Sequence, residues 1–306
     1  MSADGSVTAR GTEMRSYYGR PIVKEPVWEP EIPWYLFAGG IAGGCSVLHG
    51  LSRVTGNERL AKSSMYVGAV ADLASPLLLI SDLGRPERFL KMLRVFKVTS
   101  PMSVGSWILV VSSGASNTAA ALDLVGKLKP VKLLAELVSF ATGPPLATYT
   151  GALFANTSIP VWSEARDELP VLFGASAAAS GGAAAALVTP EGAAGPARRA
   201  AIAGVAVELG VMELMKRRLG FVGEVYTQGE AGRYARVSKG CAAAGAALLA
   251  WRGRRSRLAT AVGSGLVLAG EAALRWSVFK AGFQSARDPR YTVIPQSERL
   301  KKKGTH

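Results

Sequence analysis

Eight long apolar segments, separated by polar connections, constrain the fold of this 306-residue chain more than any other feature of its sequence. About 20 apolar residues suffice to cross the hydrocarbon core of a bilayer as a helix. With a mean hydropathy of +0.21 as well, the chain is too apolar in long stretches for an ordinary soluble protein. We therefore predict an all-α fold, a polytopic membrane helix bundle with about eight transmembrane helices. The predicted spans are Trp34–Val54, Lys62–Ile80, Val104–Val125, Leu133–Phe154, Pro170–Val188, Ala200–Leu219, Val237–Trp251 and Leu258–Phe279.

Small residues fill these segments, as in GGIAGG, ASAAASGGAAAA and CAAAGAALLA. In lipid, where burial of apolar surface gives no drive for association, small residues let helix backbones approach closely. We expect a compact transmembrane domain over residues 34–282, preceded by an extramembrane segment 1–33 and followed by a tail 283–306. Residues 1–33 lack the pattern of a cleavable signal peptide, so we expect the first span to direct insertion.

The formal charge of +14 is distributed between the apolar runs rather than along one face of a soluble domain. This placement indicates contact with membrane lipids and no binding of nucleic acid. Eight spans put both termini on one face, here called the N-side. Lys and Arg are more numerous on the N-side but denser in the short opposite loops, such as RGRRSR at 252–257. The short loops favour an N-side outside the cell.

Histidine and cysteine are too scarce for resident redox centres. The chain has only His49, His306, Cys45 and Cys241, and neither cysteine belongs to a CxxC motif. Two bis-histidine haems need four axial histidines, and iron-sulfur clusters need more thiolates. The sequence predicts no metal, haem or iron-sulfur site in this chain, so any such centre belongs to a partner. Both cysteines are expected to pack between helices.

Polar residues far apart in sequence are expected at one level of the membrane. On the predicted topology, Tyr35, Asp82, Arg85 and Tyr149 all lie near the N-side. The Gly-Arg-Pro break in SDLGRPERF should end a helix and hold Asp82 near the guanidinium of Arg85 or Arg88. The alternatives are a salt-bridged interfacial loop for this segment and an aromatic belt for the tyrosines.

Ionisable residues inside spans are costly and often face a cavity, a partner or a proton route. Asp72 and Glu208 lie mid-span, and the two together are the favoured candidates for proton handling. Glu213 lies nearer the N-side. His49 lies toward the opposite face, where either an interhelical hydrogen bond or a proton relay is consistent with its position.

Glu271 and Arg275 lie four residues apart in the last span. This spacing brings two side chains together on one face of a helix. We expect them to form an intrahelical salt bridge.

Three motifs carry a resemblance to the NrfD/polysulfide reductase membrane-subunit family. They are WYLFAGGIAGG in the first span, DLGRPERF followed by TSPMSVGSW, and TYTGALFANTSIPVW in the fourth span. The tail SARDPRYTVIPQ resembles that of actinobacterial members associated with formate dehydrogenase-type molybdoenzymes.

The resemblance implies a membrane anchor in the bacterial cytoplasmic membrane, with no redox centre of its own. It would exchange electrons between menaquinone or ubiquinone and a docked iron-sulfur (ferredoxin-like) subunit, which serves a molybdopterin or tungstopterin catalytic subunit. By motif alignment, Tyr149 matches the family's quinone-binding tyrosine. Tyr35 takes the place of a histidine, and Glu31 the place of an asparagine. We expect these three residues to bind the quinone, with Asp82 and Arg85 shaping the mouth of the site.

Two other classes of function fit the same pattern. Intramembrane carboxylates and Gly-rich helices also suit a secondary transporter. A purely structural anchor would tether a partner without binding quinone.

Overall fold

The computed structural model describes residues 21–85 and 87–303, and this part of the chain is helical without any β-strand. His306 and residues 1–20 of the predicted N-terminal segment lie outside it. The elements follow in chain order: α1 (Glu31–Val54), α2 (Glu58–Asp82), α3 (Glu87–Met92), α4 (Pro101–Val125), α5 (Lys129–Ala155), α6 (Pro160–Glu164), α7 (Leu169–Val188), α8 (Gly195–Leu219), a 3-10 helix (Gly220–Tyr226), α9 (Gly229–Trp251), α10 (Arg257–Arg287) and α11 (Arg290–Lys303).

Each predicted span lies within one long helix of the bundle. Within the described residues, α2, α4, α7 and α10 are long and apolar enough to cross a membrane by length and composition alone. The helices α1, α5, α8 and α9 do not meet that criterion, yet they pack in the same bundle. The predicted all-α membrane bundle is therefore confirmed.

The helices extend beyond the predicted spans because the polar turns that flank each apolar segment are also helical. The helix α9 begins at Gly229, eight residues before the predicted span, and α10 continues past residue 282 to Arg287. Hydropathy marks the apolar middle of a helix and not its capped ends. The division into residues 1–33, 34–282 and 283–306 stays a prediction.

The centre of the bundle is built on close backbone contacts of α1. A Cβ at Gly44 would lie 2.1 Å from the carbonyl oxygen of Ala177 in α7, and one at Gly181 would lie 2.8 Å from the carbonyl carbon of Gly44. On another side of α1, a Cβ at Gly43 would lie 2.8 Å from the carbonyl oxygen of Gly143 in α5. The small residues predicted to bring helices together thus place α1 directly against α5 and α7.

The TSPMS segment fixes the start of α4 at the N-side end of the bundle. Ser100 is the N-cap, and its side chain accepts a hydrogen bond from the backbone N–H of Ser103 (3.4 Å). Pro101 follows at the first helical position, where its missing N–H costs nothing. The cap places Met102 and Ser106 on the first turns of α4, facing α1 and α5.

The Gly44→Ala variant tests the close contact between α1 and α7. We expect it to destabilise the protein by about 1 to 3 kcal/mol, since the added methyl meets backbone rather than a flexible side chain. Gly114→Ala in α4, where a Cβ meets open space, is the matched control and should not lower stability. The melting temperature in detergent, followed by size-exclusion chromatography, measures both. Equal melting temperatures for the two variants would contradict this packing.

Candidate functional site

A partly open cavity of about 390 Å³ lies at the N-side end of the bundle. Its walls come from α1, α2, α3, α4, α5 and the segment 21–30, which precedes α1. The lining residues are Val27, Trp28, Ile32, Tyr35, Leu36, Leu79, Asp82, Leu83, Arg88, Met92, Met102, Ser106, Tyr149, Leu153 and Phe154. We call this space the tyrosine cavity.

Three of the five residues predicted to form the site line the tyrosine cavity: Tyr35, Asp82 and Tyr149. Glu31 lies on the first turn of α1, half-buried, and its Oε2 atom has no hydrogen-bond partner among the described residues. Arg85 does not line the cavity and is exposed in the turn after α2. The structure thus brings together residues from α1, α2 and α5, but leaves the predicted arginine outside.

Asp82 binds the N-terminal segment and not an arginine. Its Oδ1 atom accepts a hydrogen bond from the backbone N–H of Glu29 (2.8 Å). No ion pair between Asp82 and Arg85 or Arg88 is formed among the described residues, although Arg88 lines the same cavity as Asp82. Arg88 Nη1 instead donates to the carbonyl of Leu83 (3.2 Å), at the C-terminal end of α2, where the helix dipole favours a cation.

The segment 21–30 forms one wall of the tyrosine cavity. The Trp28 indole stacks on Trp162 at 5.3 Å between ring centroids and contacts the Phe154 ring at 5.0 Å. Sequence analysis missed Trp28 and its neighbour Val27 because hydropathy assigns them to a polar, proline-containing stretch. The sequence feature that could have indicated this wall is the pair of large apolar residues between the prolines of PVWEP.

The position of Tyr149 depends on a glycine in α4. A Cβ at Gly105 would lie 2.2 Å from Cε2 of the Tyr149 ring, so only glycine leaves room for this ring. The motif SPMSVGSW therefore caps α4 and seats the tyrosine of α5.

Tyr35 lines the cavity from a buried position on α1. Its side chain is 3% exposed, and no hydrogen bond to its hydroxyl is formed within the described part of the chain. The two phenols can donate hydrogen bonds to a ligand held between apolar walls. The cavity is suited to a flat, mostly apolar molecule with hydrogen-bond acceptors.

Asp72 and Glu208 lie in two different buried polar clusters. Asp72 in α2 accepts hydrogen bonds from Ser116 (2.6 Å) and Ser112 (3.3 Å) of α4. Glu208 in α8 lies beside Glu271 of α10. Asp72 and Glu208 do not contact each other, so the structure gives no support to the hypothesis that they act together. The sequence predicted their depth in the membrane, but depth does not determine which neighbouring helix a residue faces.

His49 forms a buried polar group near the opposite face. Its Nδ1 atom lies 2.8 Å from the carbonyl oxygen of Ala61, an interhelical contact that fixes the ring, and its Nε2 atom lies 3.8 Å from Glu136. Glu136 also pairs with Lys132 (3.4 Å) and Arg53 (3.6 Å). His49 is thereby connected to charged side chains that reach the opposite surface.

Glu213 lies at the N-side end of α8 in a surface ion-pair group. It pairs with Lys216 (3.2 Å) and Arg217 (3.0 Å). These three residues also line a second cavity of about 520 Å³ between α8 and α9.

The expected salt bridge between Glu271 and Arg275 is wrong. Glu271 Oε2 accepts a hydrogen bond from Ser176 of α7 (2.5 Å). The Arg275 guanidinium lies over the Phe173 ring (3.9 Å to the centroid), and its Nη2 atom donates to the carbonyl of Phe173 (3.4 Å). Contacts with a neighbouring helix replace the contact along the same helix.

No group of three or more His, Cys, Asp or Glu side chains is arranged to hold a metal ion in the described part of the chain. Cys45 is buried, with its sulfur 3.5 Å from the carbonyl oxygen of Gly181.

The chain folds into a bundle of long helices with close small-residue contacts and has a cavity at its N-side end. These features define a multi-pass membrane protein. The chain belongs to the NrfD family, because the family model described as polysulphide reductase, NrfD, matches residues 22–222, more than half of the chain. The resemblance seen in the motifs is confirmed. Members of this family are membrane subunits of oxidoreductase complexes, so the chain has a membrane-anchor role. No curated protein matches the chain.

The Asp82→Ala variant tests how the segment 21–30 is held. Loss of the bond to the Glu29 N–H should loosen the segment and raise the rate of tryptic cleavage after the exposed Lys24 several-fold. Ser81→Ala, which removes a neighbouring exposed hydroxyl, should cleave like the unaltered chain. Mass spectrometry of timed digests gives the rates. Unchanged cleavage in Asp82→Ala would show that this bond does not hold the wall.

Proposed function

We propose that this chain is a quinone-interacting membrane anchor of an oxidoreductase complex. It exchanges electrons between a docked iron-sulfur subunit and menaquinone or ubiquinone in the bilayer. The observation that carries the proposal is the convergence of Tyr35 and Tyr149, from different helices, on one apolar cavity at the N-side end of the bundle. Family membership supports the same role.

The tyrosine cavity fits the headgroup of a quinone. A quinone supplies the two-electron, two-proton chemistry. The phenols of Tyr35 and Tyr149 donate hydrogen bonds toward its carbonyl oxygens, while Ile32, Leu36 and Phe154 supply apolar walls.

Carboxylates at the mouth of the cavity handle the protons of this reaction. Quinone reduction takes up two protons, and quinol oxidation releases two. Asp82 lines the cavity, and Glu31 lies close enough for its charge to act on Asp82. Arg88, also at the rim, takes the entrance role that the sequence assigned to Arg85.

The partners dock on the N-side surface beside the tyrosine cavity. The ring of Tyr291 in α11 stacks on Phe221 of the 3-10 helix (5.0 Å), and Arg299 of α11 pairs with Glu164 of α6 (2.9 Å). These elements form one continuous surface for an iron-sulfur subunit, which serves a molybdopterin or tungstopterin subunit. The tail SARDPRYTVIPQ, which forms the end of α10 and part of α11, supports a formate dehydrogenase-type complex in the bacterial cytoplasmic membrane.

A polar route from the opposite face leads toward Asp72. A gap of about 10 Å³, close to the size of one water molecule, is lined by Ser116, His49 and Glu136. His49 Nε2 has no hydrogen-bond partner among the described residues, and Ser116 donates to Asp72. Protons pass through His49, a water in this gap and Ser116 to Asp72. Asp72 lies one helical turn from Ser75, which donates to the carbonyl of Tyr35 (3.4 Å).

Purification of the tagged chain in gentle detergent tests the anchor role. Iron-sulfur and molybdopterin or tungstopterin subunits should co-purify, together with quinone in the eluate. A stable chain without such partners that performs counterflow transport in liposomes would favour a secondary transporter. An assembled complex without quinone-dependent turnover would favour a purely structural anchor.

Tyrosine substitutions test the quinone site. Tyr35→Phe and Tyr149→Phe each remove one donor and should lower quinone-linked turnover of the assembled complex about tenfold. Tyr234→Phe is the matched control, because Tyr234 stacks on Trp276 and does not line the tyrosine cavity. Turnover with a soluble electron acceptor checks that the complex is intact. Quinone-linked rates equal to the control in both variants would rule out these phenols as ligands.

Asp72→Asn tests the route from the opposite face. It keeps the shape of the side chain but removes the group that binds the proton, so quinone-linked turnover should fall several-fold and proton uptake from the opposite face should be lost. Glu230→Gln, at an exposed pair with Lys280, is the control. A pH-sensitive dye inside liposomes containing the complex follows proton uptake. Unaltered uptake in Asp72→Asn would exclude this route.

A further inference from the structure

We propose that Glu208 and Glu271 form a buried carboxyl pair that binds a single proton and exchanges it with the N-side surface. The exchange runs through the second cavity, between α8 and α9. This site is separate from the tyrosine cavity and does not depend on quinone binding. It assigns the second half of the chain, α7 to α10, a proton-binding function of its own.

The contact between the two carboxyl groups requires a proton. Glu208 is 1% exposed and Glu271 is 0% exposed, and their side chains lie within hydrogen-bonding reach of each other. An ionised carboxylate only accepts hydrogen bonds, so two ionised groups repel each other, while a carboxyl and a carboxylate can share one proton. Ser176 donates to Glu271 Oε2 (2.5 Å).

The positive charge of Arg275 explains why the Glu208–Glu271 pair binds one proton rather than two. Its guanidinium is buried, with the side chain 1% exposed, and its charge acts on both Glu208 and Glu271. Two carboxylates and one guanidinium carry a net charge of −1, which one bound proton neutralises. A net charge at this depth is costly. The pair therefore keeps one proton while Arg275 balances the remaining carboxylate.

The guanidinium of Arg275 also has N–H groups that donate no hydrogen bond within the described part of the chain. Its Nε and Nη1 atoms have no hydrogen-bond partner among the described residues. Buried polar atoms without partners are rare and point to a bound water or a functional group. A polar centre with open donors can hold the water molecules that carry a proton.

The second cavity connects Glu208 with the N-side surface. It has a volume of about 520 Å³ and reaches from Glu208 along α8 to Glu213. The charged and polar groups that face it are Glu213, Lys216 and Arg217 from α8 and Ser238 and Lys239 from α9. The carboxylate at the rim can pass protons between the solvent and Glu208.

A metal ion fits the pair less well than a proton. Hard cations need about six oxygen ligands, whereas this centre offers two carboxyl groups and the hydroxyl of Ser176. The buried guanidinium of Arg275 already supplies a positive charge to this cluster and would repel a second cation.

Labelling of the purified full-length chain with dicyclohexylcarbodiimide tests the proposal. The carboxyl O–H adds across one C=N bond of the reagent, and the adduct rearranges to a stable N-acylurea without loss of atoms. Only a protonated carboxyl reacts in this way. At neutral pH we expect Glu208, which lines the cavity, to be labelled, with the site located by mass spectrometry.

Two variants distinguish a shared proton from an isolated acid. Glu271→Gln leaves Glu208 as the only carboxylate beside Arg275, so it should ionise and its labelling should fall at least tenfold. Glu230→Gln, at an exposed pair with Lys280 and outside the second cavity, should leave labelling of Glu208 unchanged. Equal labelling of Glu208 in Glu271→Gln and in the unaltered chain, with both eluting as folded protein, would overturn the proposal. Suppression of labelling by sodium chloride, but not by choline chloride, would also overturn it in favour of a cation site.

Infrared spectroscopy keeps the proposal testable if Glu271→Gln does not fold. The Asp72→Asn variant removes a third buried acid, and a fourth, Glu136, is ion-paired with Lys132 and Arg53. In this variant we expect the carbonyl stretch of a protonated carboxyl to persist at neutral pH and to shift in deuterium oxide. Reaction of Glu208 with the carbodiimide should remove the band. Absence of the band before reaction would overturn the proposal.

Discussion

The close approach of α1 to α5 and α7 is the contact on which the rest of the structure depends. In lipid, helices associate by van der Waals packing and interhelical hydrogen bonds, and glycine allows the shortest distance between backbones. Gly43 and Gly44 bring α1 against both neighbours at once. With α1 fixed, Tyr35 is held at one end of the bundle and His49 near the other. The two residues lie about 21 Å apart along the helix axis.

Adjacent glycines also separate the two buried polar clusters. A Cβ at Gly39 would lie 3.3 Å from the hydroxyl of Ser75 in α2, and one at Gly40 would lie 3.1 Å from the guanidinium of Arg275 in α10. The cluster around Asp72 therefore lies on one side of α1, and the carboxyl pair with Arg275 on another. Each cluster packs among its own set of helices, as the two proposed proton routes to different surfaces require.

Sequence analysis could predict the depth of a residue but not its neighbours around the bundle. Hydropathy and topology placed Tyr35, Asp82 and Tyr149 at one end, and all three line one cavity. The same information could not tell that Asp72 faces α4 while Glu208 faces α10. The salt bridge expected within α10 is not formed, because the Arg275 guanidinium packs on Phe173 of α7 and the Glu271 carboxylate accepts from Ser176. The wall formed by Trp28 was not predictable from periodicity, since its segment has no regular secondary structure.

The segment 21–30 links the cavity to the outer surface of the protein. On its inner side, Trp28 packs against the aromatic rings beside the cavity. On its outer side, Glu25 forms two hydrogen bonds with Arg287 at the end of α10, both 3.0 Å long. The segment is therefore anchored to α2 through Asp82 and to α10 through Glu25, across the mouth of the bundle. A partner subunit that binds this surface rests directly on a wall of the cavity, because only one layer of chain separates the two.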